Sequence, residues 1–317
     1  LAEDCLISAL LARGLERDRT EVEGRFARAR RIADKIGIAE QRCRILYLEA
    51  WTAHWWFEDR AKLIENYALI EPLIAGSLHC DEVDKLLTLW QLLAGGCRQG
   101  DLDAAEIELE AKRLRLVAEF ERLAGDERRR NNALQAKFSL GIMAAHGALV
   151  GGDLEELDRI WAGLTLLVGE ADHLISFPFD EIFSLVEDLG EFFPHSDEYE
   201  RLLDAFTPMI AERRSNSAAG LAQARRGLQK LEKEQWEEAV RLLGLASTRL
   251  AKDEEIKAFI AVMMGLSTAY RALGLPWAAR TSLLIAVDRS FAVMLAEGDI
   301  PASLLTALHD LMAVEIE

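Results

Sequence analysis

Four aromatic residues between positions 47 and 56 form a pattern that is typical of a binding surface. Tyr47, Trp51 and Trp55 are spaced four residues apart, so on a helix they share one face, whereas Trp56 lies off that face. Tyr and Trp side chains dominate the binding energy of many protein interfaces. The four residues are therefore a candidate partner-binding site, and Trp56 is the one of them that we most expect to be exposed. The alternative is that they form the core between neighbouring structural units.

A second candidate site is the main positive cluster of an acidic sequence. It comprises Arg128, Arg129, Arg130, Asn131, Asn132 and Lys137. Guanidinium, ammonium and amide groups can bind a carboxylate or a phosphate, and contact with RNA is a further alternative. A solvated loop followed by the start of a helix would explain the same residues without any ligand.

Motifs for catalysis or cofactor binding are absent from the sequence. It contains no G-x-x-x-x-G-K-[ST] phosphate loop, no H-E-x-x-H zinc motif and no G-x-S-x-G nucleophile elbow. One Glu-x-x-His occurs, at Glu170 and His173, but di-iron bundles use two such motifs and two further carboxylates. We therefore predict no catalytic, cofactor-binding or metal-binding residues. An all-α enzyme with a metal at Glu170 and His173 is the alternative.

Composition and charge exclude several classes of function. The chain has 317 residues, half of them hydrophobic, and a formal net charge of −17. A negative surface argues against binding to duplex DNA or to an anionic membrane, because both need positive contacts. The longest uncharged runs, 138–152 and 258–270, are shorter than a membrane span requires. Four cysteines without a C-x-x-C pair suit buried thiols and a cytoplasmic protein.

The elements that must position these residues are helices, which repeat along the chain. Apolar residues recur at helical spacing throughout, as in Leu86, Leu89, Trp90 and Leu93, and no stretch alternates as a strand would. Similar helix openings occur near positions 20, 60, 102, 154, 197, 236 and 277. The sequence therefore predicts about seven helix-turn-helix repeats of roughly 40 residues, which bury their apolar faces by stacking on one another.

The repeats resemble the tetratricopeptide repeat. In one unit the matching positions are Met263, Leu266, Tyr270, Gly274, Ala279, Leu283 and Ala286. Around Gly100 they are Leu89, Leu92, Gly100, Leu102, Ala105 and Leu109. Small residues such as Ala105, Ala239 and Ala279 would let paired helices approach closely. The unit of about 40 residues exceeds the family's 34, and Ser267 stands at the helical glycine. The sequence is thus similar to divergent members such as the repeat arms of bacterial signalling ATPases and maltose-regulator-type activators.

This resemblance implies a right-handed superhelix whose first helices line a concave face that holds a protein or a peptide. In peptide-binding members, Asn, Lys and Arg on first helices hold a terminal carboxylate. Asn131, Asn132 and Lys137 have those residue types, but their spacing is not repeated in successive units. That function is therefore not carried over to this chain.

We expect residues 1–317 to form one helical-repeat domain, cut from a longer chain because both ends run in helical pattern, with a hinge near 213–218. The predicted function is a non-catalytic scaffold that binds a protein or peptide in the cytoplasm. The alternative is the sensor arm of a multidomain signalling protein, either an ATPase or a transcriptional activator. Such an arm would recognise an inducer or a foreign protein and act on an effector domain of the same chain. The oligomeric state is left open.

Overall fold

The computed structural model describes residues 1–171, 174, 177–189 and 196–316, and this part of the chain is all-α. It contains fifteen α-helices and two short 3₁₀ turns, at 127–129 and 253–255, and no strand. The α-helices are α1 (Ala2–Gly14), α2 (Arg19–Ile36), α3 (Ala39–Phe57), α4 (Arg60–Ile74), α5 (Cys80–Arg98), α6 (Leu109–Ala124), α7 (Arg130–Gly151), α8 (Leu154–Ala171), α9 (Phe179–Leu189), α10 (Asp197–Arg213), α11 (Asn216–Glu232), α12 (Trp236–Leu250), α13 (Ile256–Ala272), α14 (Pro276–Glu297) and α15 (Ala302–Ile316). The predicted fold class is therefore confirmed.

The helices belong to two compact units, Leu1–Glu198 and Tyr199–Glu317. In the first unit each helix from α1 to α8 packs on the next, and α1, α3, α5 and α7 also contact one another in series. In the second unit the same holds for α11 to α15, with α11, α13 and α15 in series. Odd-numbered helices thus form a layer in each unit, as expected for stacked helix pairs. The handedness of the stack stays a prediction, as do the single domain and the hinge near 213–218.

Six of the seven predicted helix openings agree with the structure. The helices begin at residues 19, 60, 154, 197, 236 and 276, each within one residue of the expected position. The turns before three of them use Gly152, Gly274 and Glu234, whose positive φ angles lie in the left-handed region. Glycine adopts that conformation without a steric penalty, which explains its recurrence between the paired helices.

The predicted opening near position 102 is wrong, because α6 begins only at Leu109. The Asp103 carboxylate accepts hydrogen bonds from the backbone N–H groups of Ala105 (2.7 Å) and Glu106 (3.3 Å). These bonds have the geometry of a helix N-cap, but the chain makes only one turn from Asp103 before it is interrupted. Glu108 then takes a left-handed φ of 51° before the helix starts. Ala105 is exposed in this turn, so it does not bring two helices together.

Close packing in unit 2 relies on small residues of α11, α12 and α14. Ala239 and Ala279 are fully buried, as the sequence predicts. Gly220 and Gly227 of α11 lie even closer to the neighbouring helix, because a Cβ atom at either position would be under 3.0 Å from α12 side chains. Two glycines seven residues apart lie on the same helix face, so this face sets the separation of α11 and α12.

A cluster of charged residues connects α10 with α11 inside unit 2. The Glu200 carboxylate lies 2.5 Å from Nη2 of Arg226 and 2.6 Å from Nζ of Lys230. Both cations are almost fully buried, with about 6% of Arg226 exposed. Burial alone would raise the pKa of Glu200, but the two cations outweigh that effect and lower its pKa. Asp204 adds a second carboxylate 2.9 Å from Nη1 of Arg226.

The cysteines and the most apolar helix lie largely within the protein core. Cys5, Cys43 and Cys80 are buried free thiols, and Cys97 is a partly buried one. Among the described residues one helix, at 127–151, is long and apolar enough to cross a membrane by length and composition. More than half of its apolar window is buried within the protein. A core helix of a soluble protein passes the same test, so this helix is weak evidence for a membrane span.

Candidate binding surfaces

Tyr47, Trp51 and Trp55 form a continuous row of rings along α3, which we call the aromatic ladder. Ring centroids are 6.2 Å apart between Tyr47 and Trp51 and 5.8 Å apart between Trp51 and Trp55. These distances suit tilted aromatic contacts. Tyr47 and Trp51 are partly buried, whereas 56% of Trp55 is exposed. The ladder therefore runs from the core to the surface, instead of lying wholly in either.

The buried end of the ladder is fixed by α5. Tyr47 packs against the core cluster of α3 to α7, which includes Leu86, Leu87 and Trp90 of α5. Burial raises the pKa of the Tyr47 phenol, so it stays neutral over the physiological range. A ring anchored in this way holds Trp51, which it contacts, in one orientation.

Trp56 is separated from the ladder by its contact with α1. The guanidinium carbon of Arg13 lies 4.2 Å from the centroid of the Trp56 ring, a cation–π geometry. Trp56 is 45% exposed, less than Trp55 at 56%. Trp56 is thus exposed, as expected, but Trp55 is more exposed, because Arg13 covers one face of the Trp56 ring.

Helix α1 lies parallel to α3 in the odd-helix layer. Near their N-terminal ends, Glu3 pairs with Arg44 at 2.8 Å. Near their C-terminal ends, Nη1 of Arg13 donates to the Thr52 hydroxyl at 3.3 Å. The two contacts fix the register of α1 against α3.

Two apolar side chains of α1 are exposed in this register. Ile7 and Leu11 follow Glu3 at spacings of four and eight residues, so they share its helix face. They are 48% and 61% exposed. Large apolar side chains so close in sequence and so exposed are a mark of interaction surfaces. They add exposed apolar area on α1, the helix that packs beside α3.

The positive cluster at 128–137 divides into residues with different roles. Nη1 of Arg129 and Nδ2 of Asn132 donate to the backbone carbonyl of Leu78, at 3.4 and 2.7 Å. These two residues hold the connection between α4 and α5 and are therefore structural. Asn131 is partly buried, and its Oδ1 atom has no hydrogen-bond partner within the described structure. Arg128 is exposed.

Arg130 and Lys137 instead line a pocket of about 350 Å³ with Ala133 and Leu134 of the same α7 face. The remaining lining residues are Ala124 at the end of α6, Glu127 of the 3₁₀ turn, Glu170 at the end of α8, and Leu174. We call this the charged pocket. The structure thus brings together two residues of the positive cluster and the glutamate of the Glu-x-x-His motif.

His173, the second residue of that motif, lies outside the described residues. Within the described part of the chain, no three His, Cys, Asp or Glu side chains are grouped as metal ligands. The motif therefore supplies Glu170 to the charged pocket, and the metal role of Glu170 and His173 stays an untested alternative.

A partly buried carboxylate, Asp84, joins α5 to α7. Asp84 accepts hydrogen bonds from Nε2 of Gln135 and Oγ of Ser139, both at 2.6 Å. Burial raises the pKa of Asp84 to about 6, although both hydrogen bonds act in the opposite direction. The Cys80 thiol and the Asp81 carboxylate also face this group, and Asp81 raises its pKa further.

Sequence reasoning missed Ile7, Leu11, Glu127 and Asp84. The spacing of Arg130, Ala133, Leu134 and Lys137, at i, i+3, i+4 and i+7, was a usable signal for one pocket-lining face. Glu170 and Leu174 had no such signal, because they are distant in sequence from this face. Searches for relatives add no further assignment: no family model matches this sequence, and no curated protein matches it.

Proposed function

We propose that this chain is a non-catalytic helical-repeat module that binds a protein or peptide on the odd-helix face of its first unit. The observation that carries the proposal is the aromatic ladder, which is anchored at Tyr47 and exposed at Trp55. The proposal includes a cytoplasmic location. It also includes a distant relation to the tetratricopeptide repeat, supported by the helix pairs and their turn glycines.

The energetics of the ladder support binding. Trp55 exposes 56% of its surface, which is roughly 140 Å² of a large aromatic residue. Covering that area would contribute about 3.5 kcal/mol at 25 cal/mol per Å². An aromatic side chain that is held in place before binding also loses little conformational entropy on association. Ile7 and Leu11 offer further apolar area beside it.

The test starts with a displayed library of random peptides, selected on the unmodified protein. Selected peptides are then titrated against Trp55→Ala and Trp51→Ala variants by calorimetry. Trp277→Ala is the matched control, because Trp277 is 79% exposed and lies in the second unit. We expect at least a tenfold rise in Kd for the ladder variants and none for the control. Equal affinity for all variants would contradict the proposal.

A second candidate function is the sensor arm of a signalling protein, and the charged pocket favours it. A pocket formed by helices other than α3 offers a place for a small inducer in addition to a bound segment. The discriminating measurement is the size of the native gene product, determined by immunoblot and peptide mapping. A product with an additional nucleotide-binding domain supports the sensor arm, whereas a product of 35.4 kDa rejects it.

A further inference from the structure

The charged pocket contains two charges of each sign, supplied by four separate turns of helix. Arg130 and Lys137 stand two turns apart on α7, about 10 Å along its axis. Glu127 and Glu170 face the same space from the 3₁₀ turn and from the end of α8. All four side chains reach solvent, so a ligand can enter directly.

These charges do not neutralise one another. Among the described residues, neither Arg130 nor Lys137 forms an ion pair with Glu127 or Glu170. Another pocket of the same unit, lined by Glu71 and Arg115, shows the contrasting arrangement. There the guanidinium Nε lies 2.7 Å from the carboxylate, so both charges are already satisfied. In the charged pocket, the four groups remain available to a ligand of matching charge.

The remaining lining sets the size and polarity of the ligand. Ala124, Ala133, Leu134 and Leu174 are apolar and suit a short aliphatic group. A volume of about 350 Å³ is near the lower end for small-molecule sites. The ligand is therefore small, carries an anionic and a cationic group, and has an aliphatic part.

We propose that the charged pocket binds a zwitterionic ligand of amino-acid size with an aliphatic side chain. Arg130 and Lys137 bind its carboxylate, and Glu127 and Glu170 bind its ammonium group. Charge-assisted hydrogen bonds of this kind are the strongest available to such a ligand. This site is formed by α6, α7 and α8 and does not depend on peptide binding at the ladder.

The experiment titrates the full chain with L-leucine, N-acetyl-L-leucine and L-leucinamide, using calorimetry and ligand-observed NMR. The two analogues each lack one of the charges. We expect saturable binding of L-leucine and at least tenfold weaker binding of both analogues, because each loses a charge-assisted contact. If N-acetyl-L-leucine binds as well as L-leucine, the pocket is a simple anion site and the proposal is overturned.

Variants locate the binding. Arg130→Gln, Lys137→Gln and Glu170→Gln should each weaken L-leucine binding about tenfold or more. Arg128→Gln is the matched control, because Arg128 belongs to the same positive cluster but does not line the pocket. Trp55→Ala should leave L-leucine binding unchanged, which separates this test from that of the ladder. Lack of saturation by L-leucine, or an equal loss in Arg128→Gln, would overturn the proposal.

Discussion

Gly227 lies at the closest approach of α11 to α12, and its replacement by alanine tests the packing of a helix pair. A Cβ atom at this position would be 2.7 Å from both Cγ and Cδ2 of Leu243 and 3.2 Å from its backbone nitrogen. The leucine side chain could rotate, but the backbone nitrogen can retreat only if α12 moves. Overpacking of this kind costs about 1–3 kcal/mol. Alanine recovers up to about 1 kcal/mol through its higher helix propensity, so we expect a net loss of roughly 1–2 kcal/mol.

The assay is urea unfolding followed by circular dichroism, with the free energy of unfolding compared between variants. Gly244→Ala is the matched control, because Gly244 lies within α12 and a Cβ atom there would meet nothing within 4 Å. The control should gain up to about 1 kcal/mol from helix propensity alone. If Gly227→Ala is as stable as Gly244→Ala, the two helices are not in the close contact described here.

Three further predictions concern buried and exposed side chains, each measured by urea unfolding. Glu200→Gln leaves two buried cations with less compensation and should cost about 2–3 kcal/mol, whereas the exposed Glu232→Gln should change stability by under about 0.5 kcal/mol. Because the pKa of Glu200 is lowered in the folded state, its contribution is present above the pKa of the unfolded chain and is lost as the pH falls. The pKa of Asp84 is instead raised, to about 6, so its contribution to stability depends on pH in the opposite direction. Its contribution is greatest at low pH and is lost as the pH rises through 6, so the unmodified protein should lose about 1 kcal/mol relative to Asp84→Asn between pH 5 and pH 7. Trp55→Ala should cost under about 0.5 kcal/mol, whereas Trp161→Ala, at a fully buried position, should cost about 3–5 kcal/mol.

The helical repeat could be predicted because its signals are local. Apolar spacing and turn glycines identified the helix pairs, since both depend only on nearby residues. The failure at position 102 has a local cause too, because the left-handed φ of Glu108 interrupts the chain before α6 begins. By contrast, Gly220 and Gly227 gave no sign of close packing, since a helical glycine can also face open space, as Gly244 does.

The candidate sites could be predicted only in part. The spacing of Tyr47, Trp51 and Trp55 predicts that they share a face, but not which rings are exposed, which depends on α1 and α5. The positive cluster was recognised as a unit, although Arg129 is used for structure and Arg130 lines a pocket. That division depends on residues more than 40 positions away in sequence. No periodic pattern within one helix tells which residues of the cluster bind the backbone and which line the pocket.

The central claim, that the aromatic ladder is a binding surface, is tested most directly by fluorine NMR of protein labelled with 5-fluorotryptophan. Seven tryptophans give seven resonances, which are assigned with single Trp→Phe variants. On addition of a peptide selected on the unmodified protein, the resonances of Trp51 and Trp55 should shift or broaden, while those of Trp161 and Trp277 stay unchanged. A perturbation confined to Trp277, or shifts at none of the tryptophans while calorimetry shows binding, would contradict the account.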